Sequence, residues 1–195
     1  MTRPAEPLLS LRFLTLVGMI VLVALSRLLP HPPNFTPVES MALFGGAYLL
    51  DRRLALLIPL AAMFVSDIAL SLMHGGLYLD HLASLPYLAV YTCILLCSLM
   101  GFGLRGKVNG VRVLGYSLAG SIVFFAITNF ATWLSADAIP GHTACAQGLV
   151  PCYVAAIPFF QWTVLGTLFY SALLFGSYAV LRRRYPALNN VQPGA

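Results

Sequence analysis

An all-α, polytopic membrane protein of six transmembrane helices, both termini cytoplasmic, follows from two observations. Hydrophobic residues make up 59% of the 195-residue chain and charged residues 9%, against about 25% charged in a soluble domain. Cut at its apolar runs, the chain gives six segments, 10–29, 37–50, 54–73, 84–104, 111–135 and 158–181, and ten of its eleven Lys and Arg residues fall on one side of them. Arg3 and Arg12 precede or open the first run. Arg52 and Arg53 lie between the second and third, and Arg105, Lys107 and Arg112 between the fourth and fifth. Arg182, Arg183 and Arg184 follow the sixth. Basic loops stay cytoplasmic, so the alternation orients the spans and defines an outer face. Six helices of about 20 residues use the whole length. Residues 1–195 therefore read as a single membrane domain with a loose tail over 186–195. The net charge of +5 is not a nucleic-acid signature, because these cations stand at helix ends facing anionic lipid.

The first run is nearly pure Leu, Val and Ile and ends at Pro30. It is too long for a signal-peptide core, and no small-residue cleavage site follows it. Three prolines within 30–33 keep the next segment out of a helix. Thr36-Pro37-Val38-Glu39 then reads as a capping box, with Thr36 as N-cap, Pro37 at N1 and Glu39 at N3. The second run is short: its 14 residues reach about 21 Å, against about 30 Å of hydrocarbon. Its outer start must be sunk among other helices, and Gly45-Gly46 permits a close neighbour. Pro59 sits in the first turns of the third run, where a kink is expected. Between the fifth and sixth runs, 135–157 is the longest connection, the length of a lid or binding loop. Trp133 and Trp162 suit the outer interface. Gly115-x-x-x-Ala119 and Ala172-x-x-x-Gly176 suit close helix packing in the inner half.

The chemistry-bearing residues cluster on the outer side. Arg27 is the one basic residue on that side; with it come Glu39, Asp67 and His74. Asp67 is the fourteenth residue of the third run, where a charge costs about 2.5–3.5 kcal/mol unless it is paired or faces a cavity. Two readings stand for it: a structural pair (Arg27–Asp67 or Arg27–Glu39), or a ligand contact. Uncharged polar residues, among them Tyr87, Tyr91, Thr128, Asn129, Thr132 and Gln161, also favour the outer half. The inner half carries mainly small hydroxyls, Ser117 and Ser121 among them. A molecule sealed inside and polar outside suits an outward-facing pocket better than a channel.

All four histidines (His31, His74, His81 and His142) lie outside the spans or at their outer ends, without a known metal-ligand spacing. His74 and His81 are the only weak metal candidates, and no metal site, cofactor or catalytic residue is expected. Cys93 and Cys97 read as packing residues. Cys145 and Cys152 stand on the outer side either as a disulfide or as two thiols. Gly101-Phe102-Gly103-Leu104-Arg105-Gly106 matches a dinucleotide fingerprint only literally, because no strand precedes it.

Several segments together resemble a known family: Pro33-Asn34-Phe35-Thr36-Pro37-Val38, Ala42-Leu43-Phe44-Gly45-Gly46-Ala47-Tyr48, Ser66-Asp67, Pro86-Tyr87-Leu88-Ala89-Val90-Tyr91, Thr128-Asn129-Phe130 and Pro158-Phe159-Phe160. They look like a small bacterial family of transport membrane proteins of unknown function, itself similar to the S components of energy-coupling-factor (ECF) transporters. The resemblance covers most of the chain. It implies an S-component-like bundle in the bacterial inner (plasma) membrane that takes up a small solute (vitamin, cofactor precursor or metal ion) from the outer face. It also implies a coupling subunit and ATPases as partners. With the polar inventory, it nominates Arg27, Asn34, Glu39, Asp67, His81, Tyr87, Asn129 and Gln161 as ligand-binding residues. The sequence departs from the pattern at two places. The first run offers only Gly18 and Ala24 where S components dock through A-x-x-x-A, and Thr167 follows Gly166 where an acidic residue is common. A membrane enzyme with an outer His/Asp site and a non-transporting assembly partner are the competing readings.

Overall fold

The computed structural model describes residues 10–74, 84–136 and 143–189. Every regular element among them is helical: α1 (Leu11–Leu25), α2 (Val38–Tyr48), α3 (Arg52–His74), α4 (Leu85–Gly101), α5 (Gly110–Leu134), the single turn α6 (Thr143–Ala146) and α7 (Leu149–Arg184). A 3-10 turn over Ser26–Leu28 extends α1, another over Phe102–Leu104 extends α4, and a third over Pro186–Asn189 follows α7. Helix starts follow local chemistry. Ser10 Oγ accepts from Phe13 N at 3.1 Å, Asp51 Oδ1 from Arg53 N and Leu54 N at 2.7 and 2.9 Å, and Asn109 Oδ1 from Arg112 N at 2.9 Å. Each pairing satisfies first-turn donors that a helix leaves open.

Among the described residues, α1 with its 3-10 turn, α3, α4, α5 and α7 are the five helices long and apolar enough to cross a membrane, which fits a helical membrane protein. The second of the six expected runs is different. Helix α2 has 11 residues, every one buried, and reaches about 16 Å. It packs on all five long helices, so it is the centre of the bundle. Phe44 meets Phe175 and Tyr178 edge-on at 5.3 and 5.7 Å, and Ile20, Leu43, Ile94 and Leu174 close the core around it. The nearest approach is between backbones: a Cβ on Gly46 would run into the Ser98 carbonyl, and would stand 3.0 Å from Gly101 Cα.

Three of the basic residues are gathered at one end. Arg12, Arg105 and Arg182 line one cavity together with Leu49 and Leu50, so the start of α1 and the ends of α2, α4 and α7 meet there. Two of these cations are structural. Arg12 Nη2 donates to Tyr48 O at 2.6 Å, and Arg105 donates to Gly46 O, Leu49 O and Leu50 O at 2.8, 2.7 and 3.3 Å. They satisfy the last carbonyls of α2 rather than facing lipid, which corrects that part of the headgroup reading.

Three further expectations are corrected. The capping box does not form: Pro37 is the N-cap, no side chain caps α2, and Glu39 is 1% exposed. Its carboxyl turns in among α4, α5 and α7 instead of reaching back over the helix start. The sixth run begins at Leu149 and not at 158, with Pro158 inside the helix. Proline is tolerated inside membrane helices because neighbours re-satisfy the freed carbonyl. Most of the expected lid is therefore helix. The small-residue pairs do not mediate close packing, since nothing lies within 4 Å of a Cβ built on Gly115 or Gly176. The basic-end halves of α5 and α7 stand apart there, around a groove of about 1100 Å³ lined by Val113, Ala172 and Gly176. Ser117 Oγ lies 2.8 Å from Ser171 Oγ where the two helices do meet.

Candidate functional site

The nominated residues separate into two places. The first is an ion pair where α1, α3 and α4 meet. The turn after α1 aims Arg27 at α3, where Nη1 donates to Asp67 Oδ1 at 2.6 Å and to Ser66 Oγ at 2.5 Å. The Tyr91 hydroxyl of α4 donates to the other carboxylate oxygen, Oδ2, at 2.8 Å. Asp67 is fully buried and the Arg27 side chain is 9% exposed. Both oxygens of Asp67 are thus committed, and Arg27 pairs with Asp67, not with Glu39. Tyr87 stacks beside Tyr91 at 5.7 Å; its hydroxyl is buried near the same carboxylate without hydrogen-bond geometry to any group. Tyr91 and Ser66 complete the cluster and were not nominated, although the 24-residue separation of Tyr91 from Asp67 leaves no spacing signal. Replacing Tyr91 with Phe removes a donor to a buried charge. It is expected to lower the unfolding free energy by about 1.5 kcal/mol, read by thermal or denaturant unfolding in detergent.

The second place is a cavity of about 510 Å³ at the end opposite the arginines. Its walls are apolar, with Val90 of α4, Phe124 and Phe125 of α5 and Phe159 of α7. Its polar edge is Asn34, Thr128, Asn129 and Thr132. Asn34 sits in a turn closed by Phe35 N donating to Pro32 O at 3.1 Å, with φ 65°, a conformation that Asn tolerates. That turn rests on α7 at Gly166, where a Cβ would stand 2.9 Å from Thr36 N. On α5, Thr128, Asn129 and Thr132 each donate to the carbonyl four residues back at 2.8–2.9 Å. Each thus spends one donor on its own helix, and the edge still offers oxygen acceptors together with the second amide N–H of Asn129. The Cys145–Cys152 disulfide is formed, which decides between the two readings of those thiols, and both residues line the cavity.

Glu39 lies beneath this cavity. The Thr167 hydroxyl stands beside its carboxyl and donates to Thr163 O at 2.8 Å, while Thr163 lines the cavity itself. Glu39 Oε1 is buried without a hydrogen-bond partner. The i, i+4 stripe Thr163-Thr167-Ser171 is the sequence signal that could have located this region.

Gln161 belongs to neither place: it is exposed and donates to Pro158 O at 2.9 Å. His81 and the side chain of His74 lie outside the described residues, and so do Asp80, Asp137 and His142. Among the described residues no group of three His, Cys, Asp or Glu could hold a metal ion.

Residues 8–188 match the model of a family described only as one of unknown function. No curated protein and no solved structure matches the chain.

Proposed function

The chain belongs to the family of unknown function DUF6580, and from that premise we propose that it is a membrane transport protein of S-component type that binds a small, uncharged organic solute in the cavity opposite its arginines. The observation that carries this reading is the cavity's lining. Aromatic and aliphatic walls meet an edge of amides and hydroxyls, and no charged side chain is among the described lining residues. Such a pocket suits a flat solute with a few hydrogen-bonding groups along one side, and its size falls in the usual range of about 300–1,000 Å³. The same lining disfavours a metal ion as cargo, because its two cysteines are spent on their disulfide. It also disfavours an enzyme acting through Asp67, whose oxygens are held by Arg27 and Tyr91.

In this reading the arginine end is cytoplasmic and the cavity opens outward from a bacterial inner membrane, following the basic-loop rule. A coupling subunit and its ATPases then supply the energy from the arginine side. Thermal-shift and native mass-spectrometry screening of the purified full-length chain, against vitamins and divalent metal ions, is the test. An organic compound is expected to bind. Asn129→Leu is expected to weaken it about tenfold, the loss of one hydrogen bond worth about 1.4 kcal/mol. Binding by metal ions alone, or affinity unchanged in Asn129→Leu, would overturn the reading.

A further inference from the structure

The groove between α5 and α7 has apolar walls. Leu168, Ala172 and Gly176 stand one turn apart on α7, and Val113 and Leu114 line it from α5. Both spacings are those of a single helix face. Leu114, Ala172 and Gly176 are exposed, and nothing lies within 4 Å of a Cβ built on Gly176. The small residues of α7 thus leave open space. Toward the middle of the bundle the groove closes at Ser117 and Ser171, whose Oγ atoms are 2.8 Å apart. Ser171 Oγ donates to Ser40 Oγ at 3.2 Å, and Ser40 Oγ to Thr167 O at 2.8 Å. The hydrogens of these hydroxyls are used within the bundle, so the closed end makes no polar demand on an occupant.

The other end of the groove is cationic. Arg182, Arg183, Asn109 and Asn189 line it there. After α7 the chain turns back through Pro186–Asn189, anchored by Leu188, which is 3% exposed. Arg182 Nε donates to Asn189 Oδ1 at 2.6 Å, and Asn189 Nδ2 donates to Arg182 O at 3.0 Å. This exchange holds the Arg182 guanidinium at the mouth, and Arg183 is exposed next to it in the chain. Behind the mouth lies the cavity of about 340 Å³ that Arg12 and Arg105 line. It shares Tyr48, Val108, Arg182 and Asn189 with the groove. An apolar slot therefore abuts a chamber rich in arginine. No acidic side chain is among the described residues lining either one.

We propose that this groove is a binding site for one anionic phospholipid, its acyl chains along α5 and α7 and its phosphate at Arg182 and Arg183. The charges are complementary, and basic pockets between membrane helices are known seats of anionic headgroups. The lengths agree as well. From Ser171 to Arg182 the helix rises about 16 Å, and the acyl chains of one leaflet fill half of about 30 Å of hydrocarbon. A second copy of the chain fits less well. A symmetric pair brings the same surface patch against itself, which would set Arg182 and Arg183 against their own duplicates. The lipid site goes beyond the transport reading and does not rest on it, because it lies at the opposite end from the solute cavity.

The test is native mass spectrometry of the full-length protein in detergent, offered equal amounts of dioleoyl phosphatidylglycerol and dioleoyl phosphatidylcholine. The two lipids share their acyl chains and differ in the headgroup. A cation near a membrane surface is worth about fivefold, so two arginines predict that one phosphatidylglycerol is retained with a preference of about twentyfold. Arg183→Gln should lower that preference about fivefold, and Arg182→Gln with Arg183→Gln should bring the lipids near parity. Gly176→Leu fills open space in the groove and should lower retention of both lipids severalfold with the arginines in place. Each variant is first shown by size exclusion to fold, and the arginine variants, at exposed positions, carry the test if Gly176→Leu does not. Excess glycerol phosphate should not displace the lipid. Equal retention of both lipids by the wild type, an unchanged preference in the double arginine variant, or displacement by glycerol phosphate would each overturn the proposal. A lipid-free dimer would assign the groove to a second copy instead. Solute binding in the cavity at the other end is read by its own screen, so either reading can fail alone.

Discussion

Asp67→Ala is expected to lower the stability of the purified protein by about 3–5 kcal/mol, the cost of stranding a buried charge. Asp67 is fully buried, and the Arg27 guanidinium donates to its Oδ1 at 2.6 Å. Removing the carboxylate leaves Arg27 with Ser66 Oγ and the Met63 sulfur as its remaining side-chain partners, and neither carries charge. It also leaves the Tyr91 hydroxyl without its acceptor. Asp67→Asn keeps the shape and loses the charge, so it should cost nearly as much. The informative comparison is the double variant Arg27→Met with Asp67→Leu. Replacing both members of a buried pair with apolar groups is often neutral, so the double variant should recover most of the loss. Equilibrium unfolding in mixed detergent reads all three. A double variant as unstable as Asp67→Ala would show that the pair does more than hold α1, α3 and α4 together.

Gly46→Ala should destabilise the bundle by about 1–3 kcal/mol through overpacking. A methyl at this position meets the Ser98 carbonyl and crowds Gly101 Cα at 3.0 Å. These are backbone atoms, which cannot swing aside as a side chain can. Helices α2 and α4 must separate, and the core around Leu43 and Phe44 loosens with them. Gly115→Ala and Gly176→Ala are the controls, because nothing lies within 4 Å of a Cβ on either. Both should cost no more than a few tenths of a kcal/mol, and the gain in helix propensity works in their favour. Equal losses at all three glycines in the same unfolding assay would contradict the close approach of α2 and α4.

The bundle was largely legible in the sequence because a long apolar helix announces itself by composition alone. The boundaries that moved had competing local signals. Pro158 reads as a helix start, yet α7 carries it inside. Thr36 and Glu39 match a capping box, but burying Glu39 among α4, α5 and α7 overrides the local fit. The candidate site was legible only in part. Arg27 and Asp67 stood out because charges in an apolar run need a reason, whereas their third partner, Tyr91, lies on another helix. Asn34 and Asn129 were nominated and do share a cavity. Of the hydroxyls below that cavity only Thr167 stood out, as a departure after Gly166. Their meaning lies in α5 and α7 facing each other, and that pairing is not written in either helix.

Helix α2 has a consequence for how this protein is made. At 11 residues it is too short to remain in a bilayer as an independent span, unlike the five long helices around it. Its last carbonyls depend on Arg12 and Arg105, residues of α1 and of the turn after α4. During biosynthesis it must therefore wait until α4 has been delivered, and it settles only as the others enclose it. Glu39 rides on this helix, so the carboxyl at the centre of the molecule is placed by packing against the other helices and not by independent insertion. Enclosed on every side by the long helices, the segment is also the last that a loosened neighbour exposes, so its central acid stays shielded while the rim of the bundle opens.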